Sequence, residues 1–132
     1  NLDNINTENT KVRLLSLGLE LDDLASAIKT SQTCFENISA CDTGRWILKD
    51  HDNAKNEYQL STYDGNFIID RTFIEEDIRW IIDYKISLDL KKNCEDYKNQ
   101  LNNYAKLFRQ MGEENIKLML YYPLLKESIV WS

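Results

Sequence analysis

The sequence predicts an α/β domain with a central mixed β-sheet flanked by helices, in the order α-β-β-β-α-β-β. Three observations predict this class. Apolar residues recur at helical spacing over 21–38, an Asp-Gly pair separates two segments of strand composition, and a second helical stripe leads into a closing apolar run. A length of 132 residues fits one domain, and 42% hydrophobic residues are enough for a buried core.

The charge and cysteine content restrict the possible binding partners and the cellular compartment of this chain. Sixteen Lys and Arg against 22 Asp and Glu give a formal net charge of −6, a field that repels nucleic acid unless a metal ion or another domain supplies positive charge. Cys34, Cys41 and Cys94 form no Cys-x-x-Cys pair and no even framework, so we expect a reduced, cytoplasmic compartment. No apolar run approaches the ~18 residues of a membrane span. Because the sequence begins with Asn rather than Met, we expect a processed product or a piece excised from a larger polypeptide.

The first third of the chain is predicted to be helical. The first dozen residues are polar and are predicted to form a frayed lead-in. The apolar content of residues 12–19 predicts a short helix. A longer amphipathic helix follows, because one apolar stripe has three-and-four spacing. The stripe consists of Leu21, Leu24, Ala25, Ile28, Phe35 and Ile38. Residues 1–45 are therefore interpreted as a helical lead-in, and a change to period two after Gly44 begins an α/β core over 46–132.

Three antiparallel strands are expected at the start of this core. Asp64-Gly65 tolerates the positive φ angles of a two-residue type I′ turn, so this pair should join strands at 54–63 and 66–74. A third strand is expected at 79–85 from its β-branched and aromatic content.

The turns determine which side chains share a face of the sheet. The first turn pairs Glu57 with Thr72, one step diagonally from Asp70. A second turn, centred at 76–77, makes Asp70 and Asp83 direct neighbours. These carboxylates are expected on the less buried face. The buried face is expected to consist of Phe67, Ile69, Phe73, Trp80, Ile82 and Tyr84, with Arg71 as the exception.

Two carboxylates directly across a ladder have Cβ atoms ~4.5–5.5 Å apart and repel each other when both are charged. Lys85 offers one compensating positive charge on the same face, and a hard divalent cation with oxygen ligands offers two. Mg²⁺ or Mn²⁺ is the natural candidate. The alternative is that Asp70 and Asp83 are solvated residues on an exposed sheet surface.

A second helix and two strands complete the predicted domain. Asn93 can cap a helix with an acidic first turn, and Gly112 lies where its C-terminal cap is expected. The buried stripe of this helix consists of Tyr97, Leu101, Tyr104, Ala105, Phe108 and Met111. Strands are expected at 116–122 and 127–131, the first of them parallel to a neighbour through the helical crossover.

Three segments resemble one known family. They are Ile68-Ile69-Asp70-Arg71, then Trp80-Ile81-Ile82-Asp83-Tyr84-Lys85, then Tyr97-Lys98-Asn99-Gln100-Leu101-Asn102-Asn103-Tyr104. In this order they resemble the C-terminal nuclease domain of RecB- and AddA-type helicase-nucleases, members of the PD-(D/E)XK superfamily with UvrD/Rep-type helicase domains. The resemblance covers about 46–131 and implies a restriction-endonuclease-like core, in a piece excised from a larger helicase-nuclease.

The resemblance also implies roles for individual residues. The implied metal ligands are Asp70, Asp83 and, as the upstream acidic position, Glu57. Lys85 is then the catalytic lysine. Gln100 and Tyr104 form the Gln-x-x-x-Tyr motif beside the active site, four residues apart on one helix face. For these two the alternative is a core tyrosine in the apolar stripe and a solvated glutamine on its flank.

The chain departs from the family pattern at several positions. Phe67 stands where the family commonly has Gly, and Ile86 follows the lysine where Ser or Thr is usual. The family also has a histidine ligand in an upstream helix, whereas His51 lies in a charged, loop-like stretch and is expected at the surface. Lys91 and Lys92 could touch phosphate, although a solvated loop is the simpler interpretation.

The sequence therefore predicts a Mg²⁺- or Mn²⁺-dependent deoxyribonuclease domain, exonuclease or endonuclease, acting in double-strand-break repair and recombination. Its expected partners are DNA, helicase domains of the same polypeptide and a partner subunit, with no membrane. One alternative is a catalytically inactive nuclease-like module that binds DNA or docks a helicase. The departures at Phe67 and Ile86 favour it, as does the unmatched upstream histidine, which either lies before Asn1 or is lacking. A structural domain with no nucleic-acid role is a third.

Overall fold

The chain is α/β, with three helices, three strands, a fourth helix and two further strands in order. A computed structural model describes residues 4–21, 23–63 and 65–132. The elements are α1 (Asn4–Leu21), α2 (Leu24–Ala40), α3 (Asp42–Leu48), β1 (Asp52–Thr62), β2 (Gly65–Glu75), β3 (Ile78–Tyr84), α4 (Cys94–Gln110), β4 (Ile116–Tyr122) and β5 (Glu127–Trp131).

The fold divides into two compact units. The first comprises the described residues up to Asp50 with Tyr84–Leu88 and Tyr122–Glu127, and the second comprises His51–Asp83, Asp89–Tyr121 and Ser128–Ser132. The three N-terminal helices therefore belong to the first unit. Most of the sheet and all of α4 belong to the second.

Helix α1 begins at Asn4, so the frayed lead-in predicted for the first dozen residues is wrong. Its buried positions are Thr10, Leu14 and Gly18, each four residues after the last. A threonine and a glycine supply two of these three positions, so a count of apolar residues does not detect the stripe. Gly18 also permits close packing on α2, because a Cβ at this position would lie 3.3 Å from the Cα and Cβ of Ala27.

Helix α2 buries a different face from the one predicted. Its buried residues are Ala27, Ser31, Cys34 and Ile38, and of these only Ile38 belongs to the predicted stripe. The stripe residues Leu21, Leu24 and Ile28 are exposed. Small residues at the buried positions allow the close approach of α1, and this packing outweighs the larger apolar area on the other face. The helix starts after Asp23, whose Oδ1 accepts a hydrogen bond of 2.9 Å from the Ser26 amide.

The period-two pattern expected after Gly44 is replaced by helix α3. The Sγ of Cys41, the N-cap residue, accepts a 3.3 Å hydrogen bond from the Gly44 amide. Gly44 is buried against the end of α2, and a Cβ built on it would lie 2.1 Å from the Ile38 carbonyl oxygen. This contact requires glycine.

The five strands form one sheet in chain order. The pairs β1–β2 and β2–β3 are antiparallel, whereas β3 and β4 are neighbours joined through α4, a crossover that makes them parallel. The two strands start side by side, because the Arg79 amide donates a 2.8 Å hydrogen bond to the Asn115 carbonyl. The sheet is therefore mixed, as predicted.

The first hairpin has a different register from the one predicted. Thr62 pairs with Gly65 and Lys55 pairs with Thr72, so the expected pairing of Glu57 with Thr72 is wrong by two residues. Gly65 takes its positive φ of 137° as the first residue of β2 instead of inside the loop. The other half of the predicted turn, Asp64, lies outside the described residues.

The second hairpin has the predicted register. Thr72 pairs with Ile81 and Ile74 pairs with Arg79. The two loop residues, Glu76 and Asp77, both have positive φ angles, 52° and 64°, as in a type I′ turn.

Helix α4 ends in a Schellman motif. The Gly112 amide donates to the Arg109 carbonyl at 3.0 Å, and the Glu113 amide donates to the Phe108 carbonyl at 3.1 Å. At the other end, Asn93 is the N-cap residue as predicted, but it has a left-handed backbone and makes no side-chain capping hydrogen bond. The end of the helix is thus fixed more firmly than its start.

Replacing Gly112 by alanine is expected to lower the free energy of unfolding by about 1 kcal/mol. Gly112 has a φ of 97°, and a Cβ there would meet nothing within 4 Å, so the cost comes from the backbone conformation alone. Gly112→Asn is the matched variant and should cost less, since asparagine tolerates this region. Urea denaturation measures both, and equal stability of the alanine variant and the wild type would contradict the assignment.

Candidate functional site

Asp70 and Asp83 lie together where β2 and β3 end their pairing. The last paired residues are Arg71 and Ile82, and the same register places Asp70 opposite Asp83. The Asp70 amide donates a 3.2 Å hydrogen bond to Oδ1 of Asp83. A side-chain carboxylate therefore accepts the hydrogen bond at the end of the ladder, which fixes the Asp83 carboxylate beside the Asp70 backbone.

Both aspartates are buried, which contradicts the alternative interpretation of solvated residues on an exposed sheet surface. Asp70 is 3% exposed and Asp83 is 4% exposed. Thr72 and Ile81, their neighbours on the two strands, are also buried, so the sheet is covered on this face around the aspartate pair. Burying two neighbouring carboxylates costs free energy that a bound cation or a shared proton offsets. The pair is therefore suited to cation binding.

The donor chemistry of this pair fits Mg²⁺ or Mn²⁺. Both prefer hard oxygen ligands, and Mg²⁺ is commonly held by one or two carboxylates while water and substrate phosphate complete its coordination. Among the residues that the structure describes, no group of three or more His, Cys, Asp or Glu side chains could hold a metal ion. A metal ion bound at this pair would therefore have two protein ligands, Asp70 and Asp83.

Glu57 lies close to this pair in the register but is not grouped with it. Its neighbours Asn56 and Tyr58 pair with Arg71 and Ile69, so Glu57 falls opposite Asp70. Its backbone is left-handed, with a φ of 48°, and its side chain is exposed. This conformation interrupts the regular alternation of side chains along β1.

Gln100 and Tyr104 have different environments on α4. Tyr104 is 2% exposed, and its ring lies 5.9 Å from that of Phe67 between centroids. Gln100 is exposed and lines a groove of about 400 Å³ formed with other residues of the helix. The tyrosine thus belongs to the packed stripe, while the glutamine faces outward one turn away.

Lys85 follows Asp83 by two residues, directly after the end of β3. It lies in the segment Tyr84–Leu88 of the first unit, whereas Asp70 and Asp83 lie in the second. Its side chain is partly buried.

The side chain of His51 is buried, so the expected surface position is wrong. Its side chain is 5% exposed, its Nδ1 lies 3.2 Å from Oε2 of Glu75, and its ring stacks on Phe73 with centroids 3.8 Å apart. Arg71 is fully buried, lies over the same phenylalanine at 5.4 Å, and donates from Nη1 to Oδ1 of Asn56 at 3.2 Å. The sequence marked Arg71 only as an exception on an apolar face and gave no signal for the histidine.

The cysteines offer no reactive thiolate at the buried position. All three are free thiols, and burial raises the pKa of the Cys34 thiol to about 11. A thiol of this kind stays protonated near neutral pH and is a poor nucleophile.

Comparison with known proteins adds no relative. No protein-family model matches the sequence, and no curated protein matches it. Within the described ranges, none of the helices has the length and apolar character required to cross a membrane.

Proposed function

We propose that this chain is a metal-dependent nuclease domain that hydrolyses phosphodiester bonds in DNA. The observation that carries the proposal is the buried pair Asp70 and Asp83, held beside each other by the hydrogen bond between the Asp70 amide and the Asp83 carboxylate. The three sequence segments that resemble helicase-nucleases imply the same two residues as metal ligands. Double-strand-break repair and recombination are the proposed setting.

In this proposal Asp70 and Asp83 hold Mg²⁺ or Mn²⁺. Either ion, when bound, would activate a water molecule and offset negative charge that develops on the phosphodiester. The chain itself restricts bulk water around the two carboxylates, so their interactions with charge are stronger than at an exposed surface. The hydrogen bond to Asp83 keeps one carboxylate oriented before substrate arrives, which lowers the cost of reorganisation.

Other residues have proposed roles that follow from the resemblance. Lys85 would stabilise negative charge on the phosphate or orient the attacking water. Glu57, the upstream acidic position in the resemblance, would be a further ligand of the ion. Gln100 would contact the DNA strand from the outer surface of α4, while Tyr104 would support the helix through its packing on Phe67.

The acidic composition suits a domain that relies on others to hold DNA. With a net charge of −6, the isolated chain would attract nucleic acid weakly. Helicase domains on the same polypeptide, and a partner subunit, would supply that affinity. Activity should accordingly be measured on a longer form that carries them, as well as on this chain.

The direct test is the incubation of both forms with linear single- and double-stranded DNA, with Mn²⁺ or Mg²⁺ and with EDTA. We expect degradation that requires the ion. Lys85→Ala should lower the rate constant for cleavage by about a hundredfold or more, because a charge contact in the transition state is lost. Lys106→Ala, on the exposed face of α4, is the control and should cleave at the wild-type rate. Wild-type cleavage by Lys85→Ala would exclude the lysine from the reaction.

A catalytically silent nuclease-like module is the second candidate. It is favoured by one observation, that the described residues gather two carboxylates but no third metal ligand. Such a module would bind DNA or dock a helicase without cutting. Failure of the longer form to cleave DNA with either ion, together with retained DNA binding, would select this candidate over the nuclease.

A further inference from the structure

A small pocket lies beside the first three strands, apart from the aspartate pair. Its volume is about 200 Å³ and it is half-enclosed. Its polar lining comes from Lys55, Tyr58, Thr72, Arg79 and Glu113, and Phe108 forms part of its apolar wall. The pocket opens where β1 is irregular, because the register shifts between Asp52 and Lys55. A bulge of this kind redirects side chains at a sheet edge.

The guanidinium of Arg79 is held rigidly in this pocket. Its side chain is 11% exposed, and Nε lies 2.9 Å from Oε1 of Glu113. Nη1 donates to Oγ1 of Thr72 at 3.4 Å, and the guanidinium carbon lies 4.9 Å from the centre of the Phe108 ring. Thr72 donates its own proton to the Trp80 carbonyl at 2.7 Å, so its oxygen can only accept from the arginine.

The Nη2 group of Arg79 has no hydrogen-bond acceptor among the residues that the structure describes. Within the described part of the chain, Nε of Arg79 donates to the Glu113 carboxylate and Nη1 donates to the Thr72 hydroxyl. The Nη2 group keeps both of its protons for a ligand. Because the guanidinium is already fixed on three sides, a ligand would lose little free energy in ordering it.

We propose that this pocket binds a phosphate group through Arg79 and Lys55. The charges of Arg79 and Glu113 balance, so the ammonium group of Lys55 makes the pocket positive. The hydroxyl group of Tyr58 adds a donor at the same wall. A planar guanidinium with free donors beside a lysine is the usual protein complement of a phosphate oxyanion.

The size of the pocket limits the ligand to a small group. Sites for drug-sized molecules usually occupy ~300–1,000 Å³, so about 200 Å³ admits a phosphate but not a whole nucleotide. The phosphate could belong to a DNA strand or to a small free phosphate compound. Thr72 follows Asp70 by two residues on β2, about 7 Å along the strand and on the same face. One DNA strand could therefore reach both the pocket and the aspartate pair. This assignment of the phosphate to DNA rests on the proposed nuclease function.

The binding experiment uses ¹H–¹⁵N spectra of the whole chain in EDTA. Inorganic phosphate, titrated against chloride at constant ionic strength, should shift the Nε–Hε signal of Arg79 in a saturable way. Lys55→Gln should weaken this affinity about tenfold, the effect of losing one charged hydrogen bond. Lys106→Gln removes the same charge from the exposed face of α4 and should change the affinity less than about twofold. Glu113→Gln, which keeps an acceptor for Nε, should strengthen binding.

A second arm identifies the source of the phosphate. A single-stranded oligonucleotide without terminal phosphates is titrated into Asp83→Asn protein, which would lack the proposed ion site. A shift of the Arg79 signal that Lys55→Gln weakens supports a phosphodiester of a nucleic-acid strand. A response to inorganic phosphate alone supports a free phosphate compound.

The pocket proposal is overturned if neither ligand gives a saturable shift, or if Lys55→Gln and Lys106→Gln behave alike. These outcomes do not depend on cleavage. If the chain binds phosphate but does not cut DNA, the pocket proposal is supported and the nuclease proposal is contradicted. If it cuts DNA but does not bind phosphate, only the nuclease proposal is supported.

Discussion

Asp83→Asn is expected to reduce metal-dependent DNA cleavage by a thousandfold or more, and Asp70→Asn by a similar factor. Each change keeps the size of the side chain but removes a charged oxygen from the buried pair. Loss of one preorganised charge interaction alone typically costs ~10²–10³ in rate, and loss of a ligand also weakens binding of the ion. The rate constant is measured with linear DNA and Mn²⁺ on this chain, and on any longer form that carries the proposed helicase domains.

The turn between the same two strands supplies a matched control. Asp77 is exposed and has a left-handed φ of 64°, a conformation that asparagine adopts readily. Asp77→Asn therefore makes the same chemical change, a few residues from Asp83, without touching the pair. It should cleave at the wild-type rate. Calorimetric titration of Mn²⁺ gives an independent readout, and equal heats for wild type and Asp70→Asn would refute ion binding by this pair.

Gly44→Ala is expected to give the largest loss of stability among single substitutions in the first unit. A Cβ at Gly44 would lie 2.1 Å from the Ile38 carbonyl oxygen and 2.8 Å from its Cα. Backbone atoms cannot rotate away as a side chain can, so α3 must separate from the end of α2. We expect a loss of about 3 kcal/mol or more in the free energy of unfolding, measured by urea denaturation.

Gly18→Ala provides the comparison for this substitution. Here the added Cβ would meet Ala27 at 3.3 Å, a contact that a shift of a few tenths of an ångström relieves. Alanine also gains up to ~1 kcal/mol of helix propensity over glycine, so the net change should stay within about 1 kcal/mol. If Gly18→Ala proves more damaging than Gly44→Ala, the packing between α2 and α3 is not as close as described. If Gly44→Ala yields no soluble protein, the fraction of each variant that is insoluble on expression is compared instead. A larger insoluble fraction for Gly44→Ala than for Gly18→Ala then ranks the two substitutions in the expected order.

The second half of the fold was largely predictable from sequence because its signals are local. The two-residue turn at 76–77 fixes the β2–β3 register, and that register alone brings Asp70 next to Asp83. Strands β4 and β5 have the predicted bounds, since each is an apolar run between polar turns. The C-terminal cap of α4 also follows from one glycine.

The remainder depended on tertiary packing that periodicity does not encode. Helix α1 buries Thr10 and Gly18, which a search for apolar stripes passes over. In the first hairpin the glycine of Asp-Gly entered the strand, which moved the register by two residues. The burial of Asp70 and Asp83 could not be read from the sequence, because polar residues on a strand are the usual sign of a solvated face.

The outer edge of the sheet at β1 is poorly shaped for self-association. A straight edge strand presents a row of amide and carbonyl groups that can pair with another chain and seed aggregation. In β1, Asn53 and Glu57 have left-handed φ angles of 52° and 48°, and the pairing register with β2 shifts between Asp52 and Lys55. These breaks leave no long regular run of hydrogen-bonding groups, so a second strand would find few consecutive partners. The irregular backbone that opens the pocket beside Lys55 therefore also protects the chain against edge-to-edge polymerisation.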